Sequence, residues 1–285
     1  MMWWKKKSVY LLTLSLLLAT CVWIQMGMFL THLIFGVHIK LNFFKFCLSL
    51  FRENSIYYVI AISIINAIIA FTLVLTVFKI VEQFILFFKL KKRILMIKDS
   101  ELTRIYSEKY RLKNQLFIVK NEQSLAFTMG IRHPSIVLST TLIDLLEEDE
   151  LKAVIEHERF HQNNRDPLMI FILQIIAQSL WFIPLTKWCY QNYKIICEIL
   201  ADEYAIKHMG SQIGLSSALL KLIRHHLAIK PVPLAVQFSG ESINYRLQQL
   251  VSPNRDIPVK IKPISIFISI YVLLLFIGMM FITLA

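Results

Sequence analysis

His157, Glu158 and His161 stand at the spacing H-E-x-x-H inside VIEHERFHQNNRD, residues 154 to 166. Histidines four apart project from one face of a helix, so both imidazoles can reach a single metal ion. Glu158 follows His157 at about 100° round the helix, beside the position that a hydrolytic zinc keeps open for water. There it can take a proton from the water and return it to a leaving amine. Zinc itself lowers the water's pKa toward ~7 and polarises the carbonyl under attack. Three fixed letters recur by chance, so the reading needs a third ligand.

Glu198-Ile199-Leu200-Ala201-Asp202 supplies one. Glu198 is the expected third ligand. Asp202, one turn on and on the same face, is expected to accept from the outer nitrogen of a ligand histidine, with His157 as its partner. Glu203 points to a different face of that helix, and Glu156 precedes the motif and faces away from it. Arg246 and Tyr245 are candidates to stabilise the oxyanion formed on attack, against the alternative of a solvated helix face. Tyr204 and His208, on the Glu198 helix, are weaker candidates for the same task. His225-His226 reads as exposed helix surface. Ser135, Ile136, Val137 and Leu138 form either an edge strand that binds an extended substrate by strand addition or an ordinary core strand.

These residues need elements to carry them. QLFIVKN (115–121) and PSIVLST (134–140) read as strands, separated by a turn-like SLAFTMGIRH containing Gly130. TLIDLLEEDELKAVIEHERFHQ has apolar residues at helical spacing, and Glu147, Glu148, Asp149 and Glu150 suit its positive N-terminus. A later helix through KWCYQNYKIICEILADEYAIKHMG should close at Gly210, and another follows in SSALLKLIRHHLA.

The rest of the chain is membrane-grade. Hydrophobic residues make up 56% of 285, with a mean hydropathy of +0.57, outside the range of an ordinary soluble domain. Residues 8–30 and 56–78 are uncharged runs long enough to cross a bilayer, and 264–284 form a third. Lys5, Lys6 and Lys7, then Lys89, Lys91, Lys92 and Arg93, then Lys260 and Lys262 flank these runs. The positive-inside rule places all three groups in the cytoplasm, with residues 31–55 and the C-terminus outside. The expected organisation is a membrane region over 1–94, a cytoplasmic metallopeptidase domain over 95–262, and a final span over 263–285. Residues 168–185 are apolar enough to span. A full crossing would part His161 from Glu198, however, so this helix must turn back at Trp181-Phe182-Ile183-Pro184.

The net charge of +12, from 31 Lys+Arg against 19 Asp+Glu, fits cytoplasmic loops and anionic lipid. No basic helix has groove-reading spacing, so direct nucleic-acid contact is not expected. Cys21, Cys47, Cys189 and Cys197 form no C-x-x-C pair and read as apolar thiols.

From about residue 115 onward the chain resembles the BlaR/MecR-type integral-membrane zinc metallopeptidases of bacteria. The likeness is carried by LAFTMGIRHPSIVLS, EDELKAVIEHERFHQNNRDPL, WFIPLTKW, EILADEYA and SINYRLQQL, in that order. It implies a mainly α membrane protein with a cytoplasmic gluzincin-like α+β domain and a small β-sheet. It also implies one Zn2+ held by His157, His161 and Glu198, with Glu158 as catalytic base. The function implied is signal transduction by cleavage of the chain itself or of a regulator such as a repressor. A departure stands out: no extracellular penicillin-binding sensor domain is expected after the last span, so the signal is expected from a partner, the short outside loop or the membrane, with a sensor protein or a homodimer as the expected association. HtpX-like proteases share both motifs and are the alternative family, with quality control as the function. A non-proteolytic membrane scaffold with a structural zinc is a third reading, disfavoured by the intact Glu158.

Overall fold

The computed structural model describes residues 2–37, 42–53, 55–112, 115–228, 240–252, 260 and 263–282. Lys262, one of the cations expected before the last span, lies outside them, as do residues 283 and 284 of that span. In chain order the elements are α1 (Met2–Phe35), α2 (Phe43–Ser49), α3 (Ile56–Met96), α4 (Ser100–Lys109), β1 (Leu116–Val119), β2 (Ala126–Met129) and β3 (Ser135–Ser139). There follow α5 (Thr140–Leu145), α6 (Glu148–Asn164), α7 (Asp166–Ser179), α8 (Pro184–Met209), α9 (Ile213–Ala228), α10 (Gly240–Val251) and α11 (Pro263–Ile282). By internal contacts the chain divides into two units. One comprises Met1–Val9, Phe84–Phe171 and Asn192–Pro258; the other comprises Tyr10–Gln83, Ile172–Gln191 and Val259–Ala285.

The second unit is helical. Among the described residues, two helices, Trp3–Phe35 and Ile56–Met96, are long and apolar enough to cross a membrane. The long apolar run of α3 leaves Ile56, Tyr57, Val59, Ile60, Ile64, Phe71 and Val74 exposed, a surface that suits hydrocarbon better than water. The basic stretch after residue 78, which the sequence sets apart as amphipathic, continues the same helix without a break to Met96. The unit's core joins Val22, Met26 and Phe29 of α1, Phe44 and Leu48 of α2, Ile69 of α3, and Ile176, Leu180 and Ile183. Asn42 ties α1 to α2: its Nδ2 donates to the Gln25 carbonyl at 2.8 Å, and its Oδ1 accepts from the Lys45 amide at 3.1 Å. α7 ends at Ser179 and α8 begins at Pro184, so the helix breaks within the segment where the sequence requires a turn.

The first unit holds a three-stranded sheet in the order β1-β3-β2. β1 runs parallel to β3, from Leu116 opposite Ile136 to Val119 opposite Ser139. β2 runs antiparallel, with Ala126 opposite Leu138 and Met129 opposite Ser135. β2 falls inside the stretch expected to be only a turn. Its four residues are too few to show an alternating pattern, and Gly130 directly after them reads as a breaker. That glycine does make the turn: its φ is +115°, and a Cβ there would meet the His133 carbonyl oxygen at 2.8 Å.

The same topology corrects the substrate-strand expectation for Ser135, Ile136, Val137 and Leu138. They form the central strand, paired on both sides, and Ile136, Val137 and Leu138 have no exposed surface. Alternation sends Ile136 and Leu138 to one face, against Leu142, Leu151, Val154, Ile155, Ala218 and Leu222. Val137 goes to the other, with Ile94, Val119 and Met129.

The helical stretch before the motif is two helices rather than one. Ser139 caps α5, its Oγ accepting from the Leu142 amide at 3.1 Å. After a break at Leu146-Glu147, α6 starts afresh, and the Glu147 amide donates to the Glu150 carboxylate at 2.8 Å. Glu148, Asp149 and Glu150 occupy its first turn, where the helix dipole favours them. Ser217 and Lys221 of α9 also bond Glu150, anchoring the start of the motif helix. At the other end Arg165 takes a left-handed conformation, φ 54°, which ends α6 and begins α7 at the next residue.

Candidate metal centre

α6 contributes His157, Glu158 and His161, all buried, and α8 contributes Glu198. His157 Nε2 and His161 Nε2 lie 3.2 Å apart. The Glu198 carboxylate comes within 3.4 Å of the first and 3.7 Å of the second. Ligands about 2.0–2.1 Å from a tetrahedral zinc stand about 3.3 Å from one another, so this triangle has the dimensions that one ion needs. The three residues form a group able to hold a metal. The Glu198 side chain is 28% exposed, against 6% for His157 and 10% for His161, so the cluster opens to its surroundings on the Glu198 side.

Carboxylates back both rings. Asp202 Oδ1 lies 2.8 Å from His157 Nδ1, close though not aligned along a hydrogen-bond direction. Asp166 Oδ2 lies 2.8 Å from His161 Nδ1. The sequence expects the Asp202–His157 pair, and the structure brings the two groups to ion-pair distance without the aligned hydrogen bond. Asp166 falls outside that expectation, because nothing in the spacing says that the chain bends back on itself after α6. The left-handed Arg165 makes that bend. The chain returns beside Asp166 at Tyr193 and Cys197, both buried and both facing its carboxylate.

Arg246 reaches the cluster from α10. Its Nε and Nη2 donate to the two oxygens of Asp202 at 2.8 and 2.7 Å, and its Nη1 donates to Glu198 at 3.2 Å. It is therefore buried in an ion-pair network and is not on a solvated face. Tyr245 is half-buried at the preceding position. Tyr204 and His208 pair with each other, ring centroids 3.9 Å apart. His208 is exposed and stands ten residues beyond Glu198, about 15 Å along the helix axis. Tyr204 lies against Phe160. His225 is not plain surface: its Nδ1 lies 2.9 Å from Ser124 Oγ. Glu156 pairs with Arg159, away from the ligands as expected. All four cysteines are free; Cys189 and Cys197 are buried, and Cys21 and Cys47 are half-buried.

The site is charged against itself in a way that favours a cation. Burial and the Arg246 guanidinium lower the His157 pKa, yet Asp202 and Glu198 outweigh them and raise it. Burial likewise opposes protonation of His161, but Asp166, Glu198 and Glu158 carry its pKa up to about 9. Burial works against ionised Glu198, and the two histidines and Arg246 overcome it and hold its pKa far below the usual range. Asp202 is depressed too: Arg246 and His157 prevail over burial. Four carboxylates thus face one guanidinium and two imidazoles, and a divalent ion fits that surplus of negative charge.

A family model described as BlaR1 peptidase M56 matches residues 46–250. The chain belongs to that family. The match reaches well upstream of residue 115, where the resemblance in the motifs begins. The chain is similar to regulatory protein BlaR1 of Bacillus licheniformis, 25% identical over 131 residues, which are 45% of this chain and 22% of that protein. It is also similar to a protease HtpX homolog of Trichormus variabilis, 30% identical over 106 residues, 30% of this chain and 37% of the other. The aligned segments are thus well under half of either relative's length. Among solved structures, S. mikatae Ste24p aligns with 80% of this chain and 65% of its own, at 18% identity and a TM-score of 0.35.

Proposed function

We propose that the chain is a membrane-embedded zinc endopeptidase of gluzincin type, with its active site on the cytoplasmic face. The observation that carries the reading is the convergence of His157, His161 and Glu198 within 3.7 Å, with the Glu158 carboxylate buried beside them. When bound, zinc supplies a Lewis acid that polarises a carbonyl and acidifies water. Glu158 takes the proton from the attacking water and passes it to the departing amine. Asp202 and Asp166 hold the two rings with Nε2 inward. Arg246, with each nitrogen committed to Asp202 or Glu198, fixes those carboxylates. The strand for an extended substrate is β2: among the described residues no strand pairs with its outer edge, and it lies against α6.

In this reading residues 95–262 form the cytoplasmic domain, 1–94 and 263–285 the membrane regions, and 168–185 a membrane-associated hairpin arm. The C-terminus lies outside. The substrate is a cytoplasmic regulator such as a repressor, or the chain itself. Similarity to BlaR1 favours this signalling role. Similarity to HtpX homologs supports the second reading, quality control of membrane proteins. Comparing protein fragments from cells that express wild type or Glu158→Gln separates the two. One or two wild-type-specific cuts support signalling, many cuts support quality control, and identical fragment sets contradict proteolysis altogether.

A further inference from the structure

Thr128 sits on β2, opposite Ile136 of the central strand, with its side chain turned toward α6. It is buried, 8% exposed. Its Oγ1 lies 2.9 Å from Glu158 Oε2 and 3.0 Å from the Glu158 carbonyl oxygen. Both are acceptors, and a threonine hydroxyl has one proton. The hydroxyl therefore donates to one of them at a time and keeps a partner if it rotates.

A base beside a metal site has a positional problem. Glu158 is not one of the three converging ligands, and its long side chain turns about several bonds. The Arg246 guanidinium attracts it. A carboxylate that swung onto that group would leave the place where a proton must be taken from water. An oxygen pinned by Thr128 from the strand side keeps the other oxygen for that exchange. Charge-assisted bonds of this length are strong ones, and the low dielectric of a buried site strengthens them further.

We propose that Thr128 is the positioning residue for Glu158, holding the base from the strand along which an extended substrate would lie. The proposal rests on the peptidase reading above. It links substrate and base: a peptide that pairs with β2 is in register with the residue that aims the carboxylate.

The test uses the full chain in lipid nanodiscs, loaded with zinc, with fluorescein-labelled casein as the probe substrate. Thr128→Val keeps the shape and removes the donor; Thr128→Ser keeps the donor. Thr128→Val should lower kcat by about tenfold, the loss of one hydrogen bond to a charged group, with KM and zinc per chain unchanged. Thr128→Ser should stay near wild type. Should the valine variant fail to accumulate, Thr128→Ala poses the same contrast with less bulk. Wild-type kcat in the variants without the hydroxyl would overturn the proposal. So would an equal fall in Thr128→Ser, which would assign the effect to packing, or a loss of zinc, which would assign it to structure. Glu158→Gln in the same assay separates the two levels. Cleavage by that variant removes the base itself, whereas its inactivity beside a fully active Thr128→Val removes only the role of Thr128.

Discussion

Asp166 Oδ2 lies 2.8 Å from His161 Nδ1, on the opposite side of the ring from the nitrogen that faces His157 and Glu198. The contact spans five residues and depends on the left-handed Arg165 between them. Such outer carboxylates fix the tautomer of a ligand histidine, and losing one typically costs about 10–100-fold in metal affinity. Asp166→Asn should weaken zinc binding by that order, read by competition with a chelator of known affinity. Unchanged affinity would make the contact incidental.

Zinc binding should depend on pH in a definite direction. A metal needs its histidines neutral, and without one the His161 pKa is raised from 6.5 to about 9. Zinc must therefore displace a proton at neutral pH, and its apparent affinity should rise as pH climbs toward about 9 and then level off. Calorimetry in buffers of differing ionisation enthalpy should detect proton release at pH 7. The linked effect on the metal-free protein has the opposite sense. A pKa raised on folding contributes stability that is complete below pH 6.5 and is lost as pH climbs through about 9. Metal-free protein should unfold at lower temperature at pH 9 than at pH 6.5, all else equal.

Arg246 neutralises two carboxylates at once, buried Asp202 and half-buried Glu198. Removing one partner of such a network leaves charge without compensation, at a cost of about 3–5 kcal/mol. Arg246→Ala should show a loss of that order in thermal or denaturant unfolding of the metal-free protein. Arg246→Lys should recover little, because an ammonium cannot make the two-pronged contact with Asp202. Full recovery by lysine would mean that charge alone matters.

The central place of β3 gives a simpler prediction. Ile136 has no exposed surface, and truncating a buried isoleucine to alanine typically costs about 2–5 kcal/mol. An equivalent change at a solvent-facing edge would be nearly neutral. Ile136→Ala should therefore lower stability measurably whether or not zinc is present.

The candidate metal cluster is legible because helical spacing is a local property: four residues bring His157 and His161 together, and Glu198 and Asp202 share a face for the same reason. The turn between α7 and α8 followed from requiring those two helices to meet. Strand order is different, since nothing within PSIVLST says whether one neighbour or two will pair with it. β2 reads as turn because a four-residue strand followed at once by a glycine resembles the turn after it. Thr128 and Asp166 escaped together, since each touches the site only through a strand pairing or a backbone reversal that the neighbouring letters do not encode. His208 shows the converse error, a chemically apt residue carried about 15 Å away by the rise of its own helix.

Metal content and cleavage, measured together on Glu158→Gln, separate the base from the metal it works beside. The substitution keeps the shape of the side chain and leaves all three metal ligands in place. The variant should hold one zinc per chain, as in wild type, and cleave neither casein nor itself. Cleavage at the wild-type rate by the zinc-loaded variant would contradict that expectation.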